Sequence, residues 1–184
     1  MKIKSSTLSI IIVSVLAICL TASCDPQKRL ARKEHRYMKA TYKHLKKSLN
    51  ECEVYLLRDT VKVIFPNNLL FKVNSSEIPK SSDMLLERFS RSLNKYDKTN
   101  MLITGHSDTT GNEDYNVKLS QARAESTKKV LIGDSVKETR MFTWGLGSST
   151  PITSNRTEEG RERNRRVEFI ILFNSPKNKL NPLP

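Results

Sequence analysis

The chain has 184 residues, carries a net charge of +13 and is 37% hydrophobic. That length supports one ordinary hydrophobic core, not several. Three histidines and three cysteines fall at no metal-ligand spacing, so nothing points to a zinc site.

The first segment reads as a leader. Lys2 and Lys4 precede the apolar run Leu8–Leu20, and no acid occurs before Asp25. The run has the length of a secretory h-region and falls short of the roughly 20 apolar residues of a membrane span. Ala22 and Ser23 then precede Cys24. That order resembles a bacterial lipoprotein signal, in which the cysteine after the small residues is lipidated and becomes the new N-terminus. Thr21 departs from the pattern by standing where Leu is usual. The expectation is a signal over 1–23 and acyl chains, palmitate among them, on Cys24. Secretion with ordinary cleavage nearby is the alternative. Cys52 would then be the one thiol of the mature chain, with no internal disulfide to make.

Residues 24–51 read as a basic tether, helical in pattern. Between 25 and 51 stand nine Lys/Arg and three acids, a net +6, whereas 52–173 contribute only +3. Met38, Tyr42, Leu45 and Leu49 form one helical stripe, and Lys39, Lys43, Lys46 and Lys47 occupy other faces. Two readings are open. The helix packs its stripe on the domain, or it lies amphipathically on anionic headgroups. Nucleic acid is not an expected partner, since no stacking motif accompanies the basic residues.

Residues 52–173 read as one domain, followed by a loose tail over 174–184. Glu53–Leu57 and Val61–Phe65 form a hairpin-like pair of strands. A helix capped by Ser81 or Ser82 places Met84, Leu85, Phe89 and Leu93 on one face. Met101–Thr104 is a strand. A second helix runs from Glu113 to Ile132, with Gly133 as its stop and Leu119, Ala122, Ser126 and Val130 toward the sheet. Arg140–Trp144 is a strand, and a short helical turn precedes the last strand, Arg166–Phe173. The expected class is α+β: a small mixed β-sheet with two main helices packed on one face, in β-α-β-α-β order.

The candidate site lies in Thr104–Ala124. Asp108 stands on a Thr-Thr-Gly loop after a strand, and Arg123 follows 15 positions later inside the second helix. Asn116, Arg123 and Thr127 share a helical stripe. An anion near that helix's N-terminus would meet Arg123, while ionised Asp108 could hold an ammonium. A cation site beside an anion site suits a zwitterion. The bland alternative is a structural Asp108–Arg123 ion pair.

Gly105-His106-Ser107-Asp108, then Asn116 through Leu119 and Ser120 to Arg123-Ala124, then Asn164-Arg165-Arg166-Val167-Glu168 follow in order. Together they resemble the C-terminal peptidoglycan-binding domain of outer-membrane protein A, the stator protein MotB and the peptidoglycan-associated lipoprotein. The resemblance implies that Asp108 pairs with the ammonium and Arg123 with the carboxylate of diaminopimelate, ideally by two parallel hydrogen bonds. Asn116 and Leu119 match positions near the pocket. Of Arg165 and Arg166, one is expected to line it and the other to support it. Lys72 departs from the acidic or small polar residue common after the phenylalanine, which bears on affinity.

The function so implied is non-enzymatic: a lipid-anchored protein that tethers membrane to cell wall, with no cofactor. Its expected place is the outer membrane with the domain facing the periplasm. The alternative is a wall-anchored component of a secretion or stator complex whose basic tether docks a protein partner. A cell-wall enzyme would need a nucleophile with a positioned base, and only His106 with Asp108 and Ser107 offers candidates.

Overall fold

A computed structural model describes residues 25–175. The expected leader, its Cys24 and the tail beyond Ser175 lie outside the described residues. In chain order the elements are α1 (Pro26–Ser48), β1 (Glu53–Leu57), β2 (Thr60–Pro66), α2 (Asn67–Leu70), α3 (Asp83–Lys95), β3 (Thr99–His106), α4 (Glu113–Gly133), β4 (Met141–Gly145), α5 (Glu158–Asn164) and β5 (Arg166–Phe173). No helix among the described residues is long and apolar enough to cross a membrane.

Five strands form one sheet in the order β1-β2-β5-β3-β4. Only β3 and β4 are parallel, joined through α4; the other neighbours are antiparallel. The register sets the two faces, because directly opposed residues share a side. Val63 opposes Phe169, Ile103 opposes Phe169 and Met101 opposes Ile171, which builds one apolar face. The helices cover that face. Phe89 of α3 packs on Phe65 and Phe169 with ring centroids 5.1 and 4.6 Å away. This is the mixed sheet with helices on one side that the sequence predicts.

Three details differ from the sequence reading. Met84 is 72% exposed, and the buried face of α3 is Leu85, Leu86, Phe89 and Leu93. The buried residues of α4 are Asn116, Ser120, Arg123, Ala124, Thr127 and Leu131, not the stripe through Leu119 and Val130. Small residues serve here because the helix lies hard against the strands: a Cβ on Gly105 would meet the Ser120 carbonyl oxygen at 2.0 Å. Gly133 remains helical, and the left-handed residue after the helix is Ser135, at φ 67°.

The packed unit begins at Tyr37, not at residue 52. Met38, Leu45 and Leu49 are fully buried in the same core as the sheet residues. Of the two readings of that stripe, packing on the domain is the one realised. Residues 26–36, the first turns of α1, belong to a separate unit and are exposed apart from half-buried Glu34.

Candidate functional site

The strand-to-helix bend after β3 builds the site. Ser107 donates its backbone N–H to the Gly147 carbonyl at 2.8 Å, which ties the bend to the end of β4. Asp108 Oδ1 accepts from the Thr110 backbone N–H at 2.7 Å, closing a local turn. Asn112 then caps α4 by accepting from the Tyr115 N–H at 3.1 Å. Asn116, one turn into the helix, donates to the carbonyls of Asp108 and Thr110 at 3.3 and 3.0 Å. Both amide hydrogens of Asn116 therefore brace the loop, and its remaining polar atom is an acceptor.

Asp108, Asn116, Leu119, Arg123 and Arg165 all line one cavity of about 540 Å³. Four predicted site residues on the bend and α4 thus meet one predicted residue from the turn before β5. Arg166 does not join them. Its guanidinium is buried on the sheet's other face, where Nε donates to Glu168 at 2.7 Å and Nη2 to the Thr150 carbonyl at 3.0 Å. Arg165 is the residue that lines the cavity and Arg166 the one that supports the loop, which removes Arg166 from the direct contacts. Lys72 is exposed and outside the lining; Val73 and Asn74 stand at that edge instead.

The charges are arranged unequally. Asp108 pairs with Arg165, not with Arg123, its Oδ2 lying 2.5 Å from Nη1. The second arm of Arg165 reaches Glu158 at 2.8 Å. Burial alone would raise the Asp108 carboxyl, but hydrogen bonds from Arg165 and Thr110 outweigh it and hold the group below its usual range. Burial likewise opposes the charge on Arg165, and its two carboxylate partners reverse that effect.

Arg123 is different. It is 3% exposed, and Nε donates to the Ser75 carbonyl at 2.9 Å. Its guanidinium carbon lies 5.3 Å from the centre of the Phe71 ring. Among the described residues it has no carboxylate partner and no further hydrogen bond. Burial lowers its pKa, yet a guanidinium remains charged at any ordinary pH. The cavity lining therefore holds a paired network, Asp108 and Glu158 with Arg165 and Arg161, and one anchored cation, Arg123, whose terminal nitrogens have no protein acceptor among the described residues.

Glu158, the edge at Val73 and Asn74, and Tyr115 escaped the sequence reading as cavity residues. Glu158 carried a signal only in retrospect: it lies in the first turn of α5, seven positions before Arg165. His106 has both ring nitrogens engaged, Nε2 by Thr104 and Nδ1 by Thr150, at 3.0 and 2.9 Å. Ser107 donates its hydroxyl to the Asp108 carbonyl at 2.9 Å. Cys52 is half-buried, and burial pushes its thiol up to about 12.

The model of the OmpA family matches residues 70–165. A probable lipoprotein of Escherichia coli, YiaD, is 38% identical over 113 residues, 61% of this chain and 52% of that protein. The peptidoglycan-binding protein ArfA of Mycobacterium tuberculosis is 31% identical over 62% of this chain and 35% of its own length. The chain thus spans about half or less of these curated relatives. Among solved structures, the cell wall anchor of the type VI secretion system of Pseudomonas aeruginosa superposes with a TM-score of 0.65 at 31% identity. That match covers 72% of this chain and 96% of that one.

Proposed function

The chain belongs to the OmpA family, and on that premise we propose that its cavity holds the diaminopimelate side chain of peptidoglycan and so fixes the protein to the cell wall. One observation carries the reading: buried Arg123 faces the cavity with its terminal nitrogens unmatched, in the same lining as Asp108. A carboxylate there would gain charge-assisted hydrogen bonds from a guanidinium already anchored through Nε. An ammonium beside it would meet Asp108, in competition with Arg165. Glu158 gives Arg165 a second partner, so Arg165 can yield Asp108 without being left bare. Each half of the zwitterion then has an opposite charge at a fixed distance from the other.

The role proposed is binding without chemistry. His106 and Ser107 are both engaged by neighbours and make no hydrogen bond to each other, so this pair is not arranged as a nucleophile and its base. A lipid on Cys24 would hold the other end in the outer membrane, with the domain in the periplasm. Many weak wall contacts would then act together through effective concentration.

Pull-down of the chain with purified peptidoglycan tests this. Asp108→Ala and Arg123→Ala should each weaken binding by about 2–5 kcal/mol, the range for removing one partner of a desolvated charge pair. Retention of both variants at the wild-type level would refute the assignment. The likeness to a secretion-system wall anchor supports a second reading, in which the chain is one component of an envelope complex. Co-purification with and without residues 25–36 separates the two. A longer deletion would remove core residues Met38, Leu45 and Leu49 and report only unfolding.

A further inference from the structure

The packed unit carries a second charged feature, remote in sequence from the cavity residues and unused by the wall-binding reading. On α1, Lys39, Lys43, Lys46 and Lys47 are all exposed, whereas Met38, Thr41 and Leu45 are buried. At roughly 100° per residue the four lysines fall within about 100° of the helix circumference, on the side opposite the buried stripe. Residues 37–48 contain no acid. The neighbouring helix extends the same sign. Lys47 and His44 share a surface groove of about 450 Å³ with Arg88, Arg91 and Lys95 of α3.

The carboxylates nearby offset the two arginines of the groove and none of its lysines. Glu51 is taken by Arg88, and Glu87 lies 3.8 Å from Arg91. None of the four lysines, nor Lys95, has a carboxylate partner among the described residues. Lys46 instead donates to the Tyr42 hydroxyl at 3.1 Å. The arginines around α5 contrast with this: Arg161, Arg163, Arg165 and Arg166 each pair with an acid. Burial first, then the charges of Lys95 and Lys47, lower the His44 pKa, as expected inside a positive field.

We infer that this outward face of α1, with Lys95 of α3, docks on an anionic lipid headgroup surface. The kind of partner follows from the residue types. Flexible lysines act as point charges, which suits mobile headgroups better than the fixed geometry of a single ligand. The apolar stripe of α1 is committed to the core, so the helix cannot insert, and attachment is electrostatic alone. Each basic residue near such a surface is worth a several-fold gain in partitioning at moderate salt. The surface meant is that of the membrane to which the N-terminus is proposed to be anchored, so the inference rests on that part of the functional reading. Residues 26–36, a separate unit, bear Lys28, Arg29, Arg32, Lys33 and Arg36 of their own and are not needed for it.

Amine-reactive footprinting of the full chain on vesicles tests the inference. One set contains equimolar phosphatidylglycerol and phosphatidylcholine, the other phosphatidylcholine alone. Labelling of Lys39, Lys43, Lys46, Lys47 and Lys95 should fall roughly tenfold on the anionic vesicles and recover at high salt, with Lys118 and Lys137 unchanged. In the triple variant Lys43→Glu, Lys46→Glu, Lys47→Glu, labelling of Lys39 and Lys95 should be equal on both vesicles while peptidoglycan pull-down persists. Asp108→Ala should leave the footprint intact, so a failure of wall binding and a failure of membrane docking are distinguishable. Equal labelling of the wild-type face on both vesicles would overturn the inference. So would loss of peptidoglycan binding in the triple variant, since the face would then serve the wall.

Discussion

At the scale of single residues, the site depends on which cation Asp108 holds. Its partner is Arg165, and this leaves Arg123 as the unmatched charge. The depressed Asp108 carboxyl stays ionised through neutral and mildly acid pH, so its ion pair is present above the ordinary carboxylate range and lost as pH falls through the lowered value. We expect Arg165→Ala to move that loss to higher pH, read as the pH at which peptidoglycan binding falls by half. An unchanged midpoint would show that Arg165 does not set the Asp108 pKa. His106 gives an independent test of stability. Burial first, then the charge of Arg166, depresses it to about 4 from an ordinary value near 6.5. The folded state holds it neutral and the unfolded chain protonates it below its ordinary value. Stability should therefore rise with pH between about 4 and about 6.5, by up to about 3 kcal/mol. Urea midpoints measured across that window, with His106→Gln as the flattened control, check the sign. The sequence made Asp108, Arg123, Asn116 and Leu119 legible through spacing and resemblance. It could not show that Asp108 pairs across 57 positions with Arg165, because that contact depends on how α5 and β5 meet the bend.

At the scale of elements, α4 is the part that sequence periodicity described least well. Its buried face is mostly polar or small, so an apolar stripe is a poor guide to it. The real constraint sits on the strands. A Cβ on Gly145 would lie 2.4 Å from the Gln121 backbone nitrogen, and the side chain of Gln121 also accepts from the Gly145 N–H at 2.5 Å. Close approach of helix to sheet fixes the bend that carries Asp108. Gly145→Ala should destabilise the domain by about 2–3 kcal/mol in urea unfolding, the cost of forcing atoms into a packed contact. A variant as stable as wild type would mean that α4 can shift outward freely. Arg140 is a second instance. The sequence places it at the start of a strand. In the fold it is buried and donates to the carbonyls of Leu93, Tyr96 and Thr99, satisfying the C-terminal end of α3. Nothing in its spacing marks a helix-capping role formed across 47 positions.

At the scale of the whole molecule, the strands and main helices were readable because hydrophobic alternation and helical spacing agree with the tertiary packing. The last strand, Arg166–Phe173, has the bounds the sequence gives it. The start of the domain was not readable, since a stripe of four apolar positions looks the same whether it faces a core or a membrane. The core holds Met38, Leu45 and Leu49, each worth about 1.5–3 kcal/mol when fully buried. Tyr37 adds edge-to-face contacts with Tyr96 and Phe173 at 5.6 and 5.4 Å. A chain beginning at Tyr37 should therefore unfold cooperatively with the midpoint of the longer chain, whereas one beginning at Cys52 should lose the cooperative transition. Equal midpoints for both would contradict the placement of α1 in the core.

Asp108 and Arg123 are proposed to read together a side chain bearing both an ammonium and a carboxylate. Calorimetric titration with two stem peptides, identical except for diaminopimelate or lysine at the third position, addresses this most directly. Lysine keeps the ammonium and lacks the carboxylate, so buried Arg123 would be left unmatched in its complex. The diaminopimelate peptide should bind about a hundredfold or more tightly, with Arg123→Ala erasing the difference. Equal affinity of the wild-type chain for both peptides would contradict the claim.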